Sequence, residues 1–129
     1  MSYENYPKTD LNHTLATSKL VQLVATRDRI TDLTAIAYAI KNRLSKGDEF
    51  SHIARESGAP EMGDFSSTYP NPDEQTCLKS LSIVAGVFAG LYEDPTQGAT
   101  RFHRHDHSPA WAVNLQPCAL LGPHLYYRD

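Results

Sequence analysis

The chain has little cysteine, little net charge and no long apolar run, and each shortage closes a class of explanation. Two cysteines, Cys77 and Cys118, are too few for a disulfide framework, and their spacing fits no zinc pattern. They are expected as two free buried thiols, with one bridge as the alternative. Twelve basic and fifteen acidic residues leave a net charge of −3, which supplies no global pull toward nucleic acid or an anionic membrane. No apolar run approaches the roughly 20 residues of a membrane span. The opening residues, MSYENYPKTDLNH, lack the charged-then-apolar pattern of a signal peptide. The expectation is a protein that is cytoplasmic as synthesised and reaches a cell wall only by packaging in a virion or by some other release. There is no phosphate-binding glycine loop, no internal repeat and no low-complexity segment.

What is present is one domain's worth of chain: 129 residues, 40% of them hydrophobic. Residues 1–13 are polar, contain Pro7 and show no period. They read as an N-terminal arm ahead of a single domain over 14–129. Helical spacing predicts a first helix over 14–28, with Leu15, Leu20, Val21, Leu23 and Val24 on its apolar face and Thr14 or Asn12 as cap. A second runs over 31–46, where Leu33, Ile36, Ala37, Ile40 and Leu44 repeat at i, i+3, i+4, i+7 and i+11. Thr31 or Asp32 would cap it, and Gly47 would stop it. Residues 48–70 read as a short helical turn around Phe50, His52 and Ile53, followed by a long loop anchored by Phe65. A third helix over 71–91 is expected to start at Asn71, with Pro72 in its first turn, and to bury Cys77, Leu81, Val84, Ala85 and Phe88. Its Gly86 and Gly90 are tolerable only where another element packs closely. Three short strands, near 99–103, 118–121 and 124–127, complete an α+β domain: a helical body with a small C-terminal antiparallel sheet.

Titratable and aromatic side chains concentrate between Asp94 and Arg128. His103, His105 and His107 would share a face on a strand and could ligate zinc with Asp106. The spacing misses the H-x-H-x-D-H arrangement of metallo-hydrolases by one residue, so no metal is expected. The same side chains, with Arg101 and Arg104, make a basic patch. The rings of Tyr69, Phe102, Trp111, Tyr126 and Tyr127 suit a groove that stacks sugars. Phe102 and one of the two C-terminal tyrosines read better as core, and Trp111 as groove. Glycosidic cleavage also needs a carboxylic acid in a partly apolar cleft, where its pKa rises. The first two helices contain no Glu. Asp28 and Asp32 read first as helix-end charges, Glu61 and Asp64 as loop solvation, and spacing alone identifies no acid. Cys77 reads as packing, and Ser108 as part of a Ser-Pro turn.

Five separate stretches carry a resemblance. Ala35-Ile36-Ala37-Tyr38-Ala39-Ile40-Lys41-Asn42-Arg43-Leu44 is similar to an A-V-A-x-V-I-x-N-R-V helix. Gly63-Asp64-Phe65-Ser66-Ser67, with Asn71-Pro72 following, is similar to a Q-F-S-C-W…D-P-N loop. Asp94 to His103 resembles D-P-T-x-G-A-x-x-Y/F-x, Ser108 to Trp111 resembles S-P-x-W, and Leu121 to Arg128 resembles I-G-x-H-x-F-Y-R. Together they resemble the SleB-like cell-wall hydrolases, the group containing the spore-cortex-lytic enzymes. The resemblance implies a lysozyme-like, lytic-transglycosylase-like fold, peptidoglycan glycan strands as partner, and no cofactor. It also implies cleavage between N-acetylmuramic acid and N-acetylglucosamine with a Glu as general acid.

That Glu stands eighteen residues before the Asn of the N-R pair, and counting back from Asn42 lands on Val24. Asp28 falls where the family has a second Glu. Two expectations follow. In the first, this is a cell-wall hydrolase of phage or prophage origin with Asp28 as the displaced acid. In the second, it is a catalytically inactive relative that binds glycan, or binds a protein through its arm or groove as a structural or inhibitory subunit. In both, His103, Trp111, His124 and Tyr126 are expected to bind substrate.

Overall fold

The computed structural model describes residues 11–25, 29–57 and 73–129. The expectations placed on the N-terminal arm up to residue 10, Asp28, Glu61, Asp64, Phe65, Tyr69 and the Asn71-Pro72 cap lie outside the described residues. Four helices, α1 (Leu11–Val24), α2 (Ile30–Ser45), α3 (Phe50–Glu56) and α4 (Glu74–Phe88), precede three strands, β1 (Arg101–Arg104), β2 (Ala119–Leu121) and β3 (His124–Tyr127). This is the α+β arrangement expected from the sequence.

The central element is α2. Its apolar period predicts one buried stripe, yet every residue from Asp32 to Ile40 is buried. The reason is that α1, α3, α4 and the sheet all pack on it, as a helix surrounded on all sides requires. Ala35, Ala37 and Ala39 let those neighbours approach. Ile36 and Ile40, fully buried, each contribute on the order of 2 kcal/mol by removal from water. The predicted caps Thr31 and Asp32 are both one turn inside: Arg29 is the N-cap and makes no side-chain cap bond. Gly47 closes the C-terminal end with φ +98° and its N–H on the Leu44 carbonyl at 3.0 Å.

The helix ends differ from the sequence expectation at two further places. α1 begins at Leu11, and its described part ends at Val24. α4 is capped by Asp73, whose carboxylate accepts from the Gln75 N–H at 3.1 Å and from the Thr76 hydroxyl at 2.8 Å. The buried face of α4 is also rotated. Ser80, Ile83, Val84, Gly86 and Val87 are inside, whereas Ala85 is exposed and Cys77 and Leu81 are only half-buried. A hydrophobicity pattern misses this face because its contact with α1 is polar: Ser18 and Ser80 hydroxyls meet at 2.9 Å, and Gln22 donates to Ser80 at 2.7 Å. Both cysteines are free thiols, half-buried rather than buried.

The sheet order is β1-β3-β2, antiparallel throughout. Register sets Phe102 opposite Tyr126 and Arg104 opposite His124 on one side of β3, and Leu121 opposite His124 on the other. Gly122, at φ +57°, makes the turn between β2 and β3. Among the described residues no helix is long and apolar enough to cross a membrane.

Candidate functional site

Two structures build the site: a joint that fixes the sheet to the helices, and a cleft beside it. The joint is centred on Asp94. Its Oδ1 accepts from the Thr96 N–H at 2.8 Å and the Thr96 hydroxyl at 2.6 Å; its Oδ2 accepts from the Gly98 N–H at 3.0 Å and the Asn42 amide at 2.9 Å. The Asn42 amide also donates to the Ala99 carbonyl at 2.9 Å. Gln97 and Gly98 adopt left-handed φ of 59° and 88°, which wraps the backbone around the carboxylate. Burial pushes the Asp94 pKa up, but these hydrogen bonds outweigh it and hold the group below the usual carboxylate range. Arg43, the next residue on α2, is buried and reaches Asp48 and Glu56, each at 2.6 Å.

The cleft opens where the end of α1 meets the end of α3 and the sheet. Leu23 and Val24 form one wall, Glu56 and Ser57 another, and Phe102, His103, Arg104, His107 and His124 the third, around a volume of about 280 Å³. Glu56 is the described carboxylate in this lining, and it is tied inward: Arg43 lies at 2.6 Å and Arg101 at 3.1 Å.

The pleat of the sheet divides the rings into two clusters. On the helix side, Phe102 packs edge-on against His124 at 5.6 Å and against Tyr126 at 5.9 Å. On the other side, His103 stacks on Tyr127 at 5.3 Å, Trp111 meets both rings edge-on, and the Arg101 guanidinium lies 5.4 Å from the Trp111 ring. Trp111 is carried there by a short 3₁₀ turn, Ala110–Ala112, that follows Pro109. His103 Nδ1 lies 2.6 Å from the Arg104 carbonyl and Nε2 lies 2.8 Å from the Tyr127 hydroxyl. A carbonyl only accepts, so the proton sits on Nδ1, and a neutral ring then accepts from Tyr127 at Nε2.

Below the cleft, His124 and Tyr126 are buried at 2% and 0% exposure, with Nδ1 and the hydroxyl lacking hydrogen-bond partners. Burial drives the His124 pKa down to about 4, opposed by the nearby Asp32 charge and aided by Arg104, His103 and His105. Burial, reinforced by Asp32, pushes the Tyr126 phenol up. Asp32 therefore matters to the site in a way that the sequence did not suggest. It is not a solvated helix-end charge but is 3% exposed, on the inner face of the most buried helix. Its only sequence signal is its place inside the run that continues the apolar period.

Of the residues singled out for binding, His103 and His124 line the cleft, Tyr126 lies in the core beneath it, and Trp111 is half-buried on the opposite face of the sheet. His103, His105 and His107 do not share a strand face, because β1 ends at Arg104 and the chain turns there. Among the described residues no three or more His, Cys, Asp or Glu side chains converge to hold a metal ion.

The architecture, four helices with a three-stranded antiparallel sheet and a cleft at their junction, is that of the SleB catalytic fold. The chain is similar to the crystal structure of the catalytic domain of the Bacillus cereus SleB protein, with a TM-score of 0.69 and 18% identity over 98% of each chain. No family model and no curated protein matches the sequence.

Proposed function

We propose that this chain is a peptidoglycan-directed protein that seats a glycan strand in the cleft, and that its role is binding rather than cleavage. The SleB-like fold and the five motifs that resemble cell-wall hydrolases point to this ligand. A sugar ring would rest its apolar face on Leu23 and Val24, while Arg104 and His107 at the rim bond its hydroxyls.

The observation that separates binding from cleavage is Val24. It lines the cleft at the position that spacing assigns to the general acid. An acid there would sit against Leu23 and Phe102, an apolar setting that raises a carboxyl pKa and keeps its proton available. Valine has no proton to give. Glu56, across the cleft, is hydrogen-bonded through Oε2 to Arg43, and its Oε1 is buried beside Arg101.

The test is purified protein on peptidoglycan sacculi, scored for co-sedimentation and for released muropeptides, beside Asp28→Asn and Val24→Glu. Co-sedimentation without release is expected for the wild type, and release is expected to appear in Val24→Glu. Release by the wild type that Asp28→Asn abolishes would instead make this a hydrolase with Asp28 as its acid. Absence of both binding and release would remove the glycan reading and direct the search to a protein partner.

A further inference from the structure

The cleft places an apolar wall beside a cationic rim. Leu23, Val24 and Phe102 supply the wall, and Arg104 and His107 the rim. The negative groups nearby are already matched. Glu56 is paired with Arg43 at 2.6 Å and Arg101 at 3.1 Å. Asp32 is buried, is close enough to His124 to act on its charge, and is not among the residues that line the cleft. His103 is engaged at both ring nitrogens.

Arg104 differs from Arg43 and Arg101. Its side-chain partner is Asp106 at 3.0 Å, in an ion pair whose two side chains are about half exposed. Such a pair is worth little in water, so a ligand carboxylate can replace it at small cost. His107 is more exposed still, with Asp106 only at 3.9 Å.

We propose that this corner of the cleft is a carboxylate subsite, and that it takes the lactyl carboxylate of muramic acid residues from which the stem peptide has been removed. The proposal rests on the glycan reading above and narrows it to denuded strands. The lactyl group has the two features that the corner has: a methyl for the apolar wall and, on the same carbon, a carboxylate for Arg104 and His107. Where a stem peptide is attached, that carboxylate is an amide and carries no charge. The matching negative charge then lies farther out, on the peptide.

Binding is compared among three ligands of equal strand length: denuded glycan, glycan with its stem peptides, and chitooligosaccharide, which has no lactyl group. The wild type, Arg104→Gln and His107→Gln are each measured, with thermal unfolding as a check that the exposed substitutions leave the fold intact. The expected result is a preference of about tenfold for denuded glycan over chitooligosaccharide, the scale of one charge-assisted contact. Arg104→Gln should reduce it to within about twofold, and His107→Gln should reduce it less. Equal binding of denuded glycan and chitooligosaccharide would overturn the subsite and leave the glycan reading intact. Tighter binding of strands with stem peptides would assign the carboxylate to the peptide and also overturn it. Binding of none of the three would overturn both readings. A preference that survives Arg104→Gln would show that the rim does not read the charge.

Discussion

The Asp94 joint directly precedes β1, which lines the cleft, but the two regions use polar groups in opposite ways. In the joint, both carboxylate oxygens, the Asn42 amide and the Thr96 hydroxyl are spent on one another and on backbone N–H groups. At the cleft rim, Arg104 and His107 face solvent with one weak common partner. Of the residues that carry the resemblance to cell-wall hydrolases, Asn42, Asp94, Thr96 and Gly98 belong to the joint, and Phe102, His103 and His124 reach the cleft. The departure, Val24 in place of the expected Glu, belongs to the cleft. Motif agreement in this chain covers the joint and the floor of the cleft but stops at Val24, so the chemistry has to be argued from the cleft by itself.

The largest effect should come from the joint. Asp94→Ala removes the acceptor for four donors and leaves a half-buried loop without its centre. A loss of about 4 kcal/mol is expected, since bonds to a charged acceptor contribute roughly 1–3 kcal/mol each and are not additive. Urea unfolding monitored by circular dichroism measures it. A loss below about 1 kcal/mol would break the contrast between the two regions. The joint should also weaken in acid. Because the folded pKa of Asp94 lies below its unfolded value, its contribution is fully present above about pH 4 and disappears as pH falls through the folded pKa.

The buried floor of the cleft should show a pH dependence in a higher window. His124 has an ordinary pKa of 6.5 and a folded pKa of about 4. Between those values the unfolded chain takes up a proton that the folded chain refuses, so stability falls as the solution is acidified from neutral toward pH 4. The total is on the order of 3 kcal/mol. His124→Gln should flatten the slope of stability between pH 6.5 and 4.5 whatever it does to stability at pH 7. An unchanged slope would mean that the imidazole is hydrated in solution and that the floor is not dry.

Much of this scaffold was legible in the sequence, for a reason that also explains what was not. The period of α2, the Gly47 stop and the three C-terminal strands follow from local patterns, and local patterns are what a sequence displays directly. The rotated face of α4 did not show, because its inner contact with α1 is made by Ser18, Gln22 and Ser80 and not by apolar side chains. The Asp73 cap sits two residues beyond the predicted Asn71, within the usual uncertainty of helix ends. The partition of the site was not legible at all. Phe102 and His103 are neighbours in sequence, but strand alternation sends one to the helices and the other to the Trp111 cluster. Asp32 looked like a surface charge until the packing of four elements around α2 enclosed it.

The smallest effect tests how tightly the chain is held as it leaves α4 for the joint. Gly86 lies on the buried face of α4, and a Cβ there would stand 2.5 Å from Cε2 of the Tyr92 ring. The Tyr92 backbone is held from below, since the Tyr38 hydroxyl donates to its carbonyl, while the residue is 42% exposed. In an unobstructed helix, Gly→Ala gains about 1 kcal/mol. Here the half-exposed ring must leave its rotamer first, at a cost of roughly 0.5–1.5 kcal/mol. Gly86→Ala should therefore leave stability within about 0.5 kcal/mol of the wild type, whereas in a Tyr92→Ala background the same substitution should raise it by about 1 kcal/mol. The double-mutant cycle isolates the contact, because each single change shares the Tyr92 ring as its partner. The same gain from Gly86→Ala with Tyr92 present would show that the ring swings away freely. The approach to Asp94 would then be as loosely held as the cleft rim, and the contrast between joint and cleft would begin only at Asp94 itself.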